Sequence, residues 1–163
     1  MGMTAADFEQ IRNLLARYSH TLDLGDSDGF VRCFTSEGEF DTSSPEDDLF
    51  GTHRGHGELR KFAVASAEYS VARVRTTCAN LLIEGDGSTA KVSSYAFVTR
   101  DYGPPIIEGQ VTYARLVTTG MFFDELVKVG GDWKFARRVF RHDGLPDVLE
   151  RVSKPISVGP GTA

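Results

Sequence analysis

Residues 120–144 read GMFFDELVKVGGDWKFARRVFRHDG, and this stretch decides the fold. Apolar residues recur at steps of two on both sides of Gly130-Gly131-Asp132, a turn signal between two strands. The same period runs upstream through ARVRTTCANLLIEG (72–85), STAKVSSYAFVTRDY (88–102) and VTYARLVTTGMFFDELVKVGG (111–131). Turn signals at Gly85-Asp86-Gly87 and Gly103-Pro104-Pro105 separate these runs. Four long strands joined by tight turns must be antiparallel, because parallel pairs need a longer crossover.

The chain before Val71 has a different period. Thr4 can cap a helix with Asp7 in its first turn, and Phe8, Ile11, Leu15, Tyr18 and Leu22 follow at steps of three and four. The spacing predicts a helix to about Leu24, stopped near Gly25. Asp26 or Ser27 can cap a second, short helix whose apolar side is Phe30, Val31 and Phe34. GEFDT (38–42) reads as a short strand and SSPEDDLFGTHRGH (43–56) as a loop. Helical spacing resumes in GHGELRKFAVASAEY (55–69) through Leu59, Phe62, Ala63 and Ala67. Helices first and strands later give an α+β domain, with three N-terminal helices packed on a curved, mostly antiparallel sheet. Such a sheet, covered on one side, leaves a conical cavity.

The totals fit one domain over residues 1–146 with a C-terminal tail at 147–163, since the end is rich in Gly, Pro and small residues. A chain of 163 residues buries about 70% of its extended surface, enough for a core without metal or disulfide. The net charge of −5 argues against a nucleic-acid backbone as partner. Cys33 and Cys78 form no ligand cluster and read as small hydrophobes in a reducing compartment. The first ten residues lack the pattern of a signal peptide, and no apolar run reaches membrane length, so the expected location is the cytoplasm. Nucleotide fingerprints, a nucleophile elbow and an aromatic stacking platform are all missing from the sequence.

Several residues could carry chemistry. His20 lies nearly opposite Leu22 on the first helix and reads as solvated, whereas Asp23 lies at the border of the buried face. Asp23 is either a cap for the following turn or a partly desolvated general base. Tyr18 follows the core face, as a packed ring or as a hydrogen-bond donor to a ligand. Asn80 and Tyr95 sit in strands with a buried face and could orient a ligand oxygen, or bond each other or the backbone. Asp124 interrupts its strand and is expected to pair with Arg137 or Arg138, chiefly as a structural contact. Alternatively, Arg138 or Arg141 could polarise a substrate oxygen. Phe122, Phe123 and Tyr113 can line or plug the cavity. His53 and His56 have a metal-like spacing but no completing ligands, so no metal is expected. His142, beside Asp143, could line the pocket or a dimer contact.

The order of elements, with RYSHTLDLGDSDGFVRCF (17–34), GHGELRKF (55–62), ANLLIEGDGSTAKVSSY (79–95) and the opening stretch with its Trp133 and Arg138, resembles a known family. It is the SnoaL-like branch of the nuclear transport factor 2-like superfamily, with polyketide cyclases and, more distantly, scytalone and bile acid dehydratases. The resemblance covers about residues 6–144 and implies a cone-shaped α+β barrel with an apolar pocket, in a homodimer. It implies an aspartate, here Asp23, facing that pocket. Its usual partner is a histidine on the first long strand, where this sequence has Thr76 and Thr77. The implied function is a cofactor-free lyase or isomerase acting by proton transfer (cyclisation, isomerisation or dehydration) on a hydrophobic polycyclic or polyketide-like molecule. Asp23 is the implied base, with Tyr18, His142, Asn80, Tyr95, Arg138 and Phe122 around the substrate. The alternative is a non-catalytic small-molecule-binding or dimerisation module on the same fold.

Overall fold

In the computed structural model, described over residues 2–42, 51–70, 73–101 and 114–143, three helices cover a six-stranded sheet, the third following its first two strands. Helix α1 spans Ala5–Asp23, α2 spans Ser27–Arg32 and α3 spans Gly55–Ser70. The strands are β1 Phe34–Asp41, β2 Thr52–Arg54, β3 Val74–Gly85, β4 Thr89–Asp101, β5 Ala114–Val129 and β6 Asp132–His142. Their order across the sheet is β2-β1-β6-β5-β4-β3. The meander β3–β6 is antiparallel, as expected. Only the β1–β6 contact is parallel, so the sheet is mixed.

Local chemistry explains the helix ends. Thr4 and Asp7 form a reciprocal capping box at the start of α1, and Asp26 caps α2 by accepting from the Gly29 amide at 2.8 Å. The Asp7 carboxylate also takes bonds from Lys128 Nζ at 2.6 Å and Trp133 Nε1 at 3.0 Å. Lys128 first, with Thr4 and Trp133, holds that carboxyl well below its ordinary range. The first turn of α1 is thus tied to the β5–β6 hairpin. Gly25, at φ 74°, lets the chain leave α1 and turn into α2.

Two expectations need correction. Strand β1 begins at Phe34, not Gly38; Phe34 leaves the short helix and its ring joins the sheet core. Thr52–Arg54, read as loop, pair with β1 as a three-residue strand. So short an edge strand, next to two glycines, carries no periodic signal. Residues 43–50 of that loop, Tyr113, the Gly103-Pro104-Pro105 turn and the tail from 147 lie outside the described residues.

The inner sheet face packs on the helices. Tyr18 is 1% exposed, its ring within 5.3–6.2 Å of Phe30, Phe34, Phe40, Phe122 and Phe135. The pleat puts Ala90, Val92, Ser94 and Ala96 of β4 inside, and Lys91, Tyr95 and Phe97 outside. Register shifts with extra residues in β1, β3, β5 and β6 help the sheet curve.

Candidate functional site

Asp23 is the last residue of α1 and is 6% exposed. Its Oδ2 accepts from the Thr76 amide at 2.8 Å and its Oδ1 from the Thr76 hydroxyl at 3.0 Å. Burial pushes the carboxyl above its ordinary value, and the Thr76 amide and hydroxyl pull against that rise. A groove of about 520 Å³ between α1 and β3 reaches Asp23, lined also by Ser19, His20, Leu24, Arg75, Thr76 and Thr77. His20 is exposed on this groove, while both Asp23 oxygens are bonded to Thr76.

Deeper in the cone, Arg138 is fully buried. Its guanidinium lies 3.8 Å from the Phe122 ring centre, 4.1 Å from Tyr18 and 4.7 Å from Phe135. Nη1 stands 3.5 Å from Asp124, its partner in the cross-strand register, and Nη2 donates to Cys78 Sγ at 3.5 Å. The expected Asp124–Arg138 pair is present, and both side chains are fully buried. Among the described residues neither Asp124 oxygen has a hydrogen-bond partner, nor do Arg138 Nε and Nη1 or the Ser94 hydroxyl. Burial therefore pushes the Asp124 carboxyl up, with Arg138 opposing. It also pushes the Tyr18 hydroxyl up, so that Tyr18 stays protonated. Tyr18, Phe122 and Arg138 form one packed unit here. Cys78 is only half-buried and lies within 4.0 Å of Ser19 Oγ, which joins this unit to α1.

His142 ends β6, half-buried against the Phe140 ring at 4.4 Å, with Nδ1 hydrogen-bonded to Thr118 Oγ1 at 3.0 Å. Burial lowers its pKa, Asp143 opposing, which favours the neutral imidazole. Thr76, Val98 and Thr118 are neighbours across β3, β4 and β5. Two interstrand steps separate the threonines that hold Asp23 and His142, or about 10 Å.

Asn80 and Tyr95 are not brought to this place. Asn80 is exposed at the β3 bulge with φ 51°, and Tyr95 is 45% exposed on the outer face. The bulge puts Asn80 off the simple alternation from which its inward position was expected. His56 bonds the Phe34 carbonyl at 3.3 Å, and the His53 ring lies against Phe62 at 4.8 Å. Among the described residues no group of three or more His, Cys, Asp or Glu could hold a metal. None of the described helices is long and apolar enough to cross a membrane. The sequence reading missed Cys78, Ser94 and Thr118. The signal was there in β3, where Thr76 and Cys78 are two apart and so face the same side.

Comparison with solved structures finds the same fold. Rv3472 of Mycobacterium tuberculosis, a protein of unknown function, is 29% identical with a TM-score of 0.70, over 97% of this chain and 81% of that one. A cystatin-like-fold protein of unknown function from Nostoc punctiforme is 24% identical with a TM-score of 0.72, over 90% and 98%. A nuclear transport factor 2-like protein from Novosphingobium aromaticivorans is 18% identical with a TM-score of 0.72, over 91% and 90%. A comparison with curated protein sequences gives no match. The sequence profile of the SnoaL-like domain matches residues 3–139, most of the chain, and the chain belongs to the SnoaL-like domain family.

Proposed function

We propose that this protein is a proton-transfer enzyme acting next to a carbonyl of a hydrophobic polycyclic or polyketide-like molecule, by isomerisation, cyclisation or dehydration. The observation that carries the reading is Asp23: a carboxylate 6% exposed, made more basic by burial and fixed by two hydrogen bonds. A general base needs this combination of raised proton affinity and defined orientation. In this reading His142, kept neutral by burial and hydrogen-bonded to Thr118, orients a ligand oxygen by hydrogen bonding. The buried Arg138 supplies fixed positive charge behind Tyr18.

A second reading is a binding module without turnover. It is favoured by the rings packed around Tyr18 and by a threonine where catalytic relatives carry histidine. Incubation with a panel of polycyclic ketones, followed by mass spectrometry and calorimetry, separates the two. Turnover supports the enzyme, and saturable binding without turnover supports the module. Absence of both turnover and binding across the panel removes both readings.

A further inference from the structure

The alternation of β3 explains why Thr76 can hold Asp23. β3 is the edge strand beyond β4, and the Asp101 amide donates to the Arg73 carbonyl at 2.8 Å. Arg73 therefore belongs to the set bonded to β4, together with residues 75 and 77. Val74, Thr76 and Cys78 turn their amides away from β4. The Thr76 amide is thus a free donor of a sheet edge, and α1 ends beside it. Asp23 Oδ2 takes that amide while Oδ1 takes the hydroxyl of the same residue. Two donors from one residue, each on a different oxygen, fix both the position and the rotation of the carboxylate plane. Both favour the ionised form, so they offset part of the burial that would otherwise keep the proton on Asp23.

We propose that Thr76 is the positioning residue of Asp23, clamping the carboxylate in its ionised, base-competent orientation. Thr76, with Thr77, stands where the resemblance implies a histidine, but a threonine hydroxyl does not carry protons at neutral pH. Thr76 thus keeps the geometry and gives up the relay. Rates depend on such placement: misplacing a reacting group by 1 Å costs up to about a hundredfold. The proposal rests on the reading of Asp23 as a base.

Thr76→Val removes the hydroxyl and keeps the amide, volume and branching; Thr76→Ser keeps the hydroxyl. We expect the Asp23 side-chain carboxyl, followed by carbon NMR titration, to move to higher pH in Thr76→Val and to return in Thr76→Ser. On any ketone that the wild type turns over, kcat of Thr76→Val falls by about tenfold or more with KM little changed. The limb on which rate rises with pH moves up with the titration. Melting temperatures check that each variant is folded, and Thr76→Ala takes the same measurements if Thr76→Val is not. An Asp23 titration in a folded hydroxyl-less variant that superimposes on wild type overturns the proposal. Absence of turnover by the wild type refutes the enzyme reading instead, and the NMR titration still decides whether Thr76 tunes Asp23.

Discussion

Replacing Asp124 by asparagine should remove a pH dependence of stability that has an unusual sign. In the unfolded chain this carboxyl titrates near 3.8, whereas in the folded protein burial carries it to about 7. Between those values the native state holds more protons than the unfolded one. Stability is therefore fully supported below about pH 4 and is lost as pH rises through neutrality. At about 1.4 kcal/mol per pH unit, the loss across the window reaches about 4 kcal/mol, with the opposing charge of Arg138 already included in the raised value. Urea unfolding of wild type and Asp124→Asn between pH 4.5 and 7.5 measures this directly. Subtracting the two curves cancels the other carboxylates, and the difference should fall with pH. A flat difference would mean that Asp124 does not titrate there. A rising one would mean that it is ionised and stabilised by Arg138, which refutes the reasoning.

Other consequences are equally specific. Gly120→Ala places a Cβ 2.2 Å from the Arg141 carbonyl oxygen and 2.7 Å from a Phe140 ring carbon. The carbonyl belongs to the paired strand and cannot swing aside. We expect a loss of about 1–3 kcal/mol in chemical denaturation, and an unchanged midpoint would contradict the packing described. The outer sheet face exposes Leu82, Tyr95, Phe97 and Phe123, and we expect a homodimer to use it. Phe97→Glu should then sediment as a monomer at concentrations where wild type is dimeric, whereas identical sedimentation would remove this face as the interface.

The meander and the first helix were legible because both are long and strictly periodic. Strand β2 was not, since three residues beside glycines carry no period. The parallel β1–β6 contact was hidden for another reason: it joins segments about a hundred residues apart, and no local pattern encodes it. Asp23 could be picked out, but its partner was misjudged. Thr76 was noticed as a missing histidine, and only the edge geometry of β3 shows it as a donor in its own right. Arg138 was expected in a cross-strand pair, but its complete burial was not legible, because arginine is among the residues least often found inside. Three aromatic rings, arriving from α1, β5 and β6, make that burial tolerable. Asn80 is exposed rather than on the inner face because one extra residue in β3 shifts the alternation.

Asp23 as the proton acceptor is the central claim, and exchange at a single carbon tests it most directly. A polycyclic ketone that binds, deuterated next to its carbonyl, is incubated with wild type and with Asp23→Asn, and loss of deuterium is followed by NMR. The account predicts enzyme-dependent washout that rises with pH in wild type and falls to the buffer rate in a folded Asp23→Asn. Equal washout by the two proteins would show that another group takes the proton and would contradict the account.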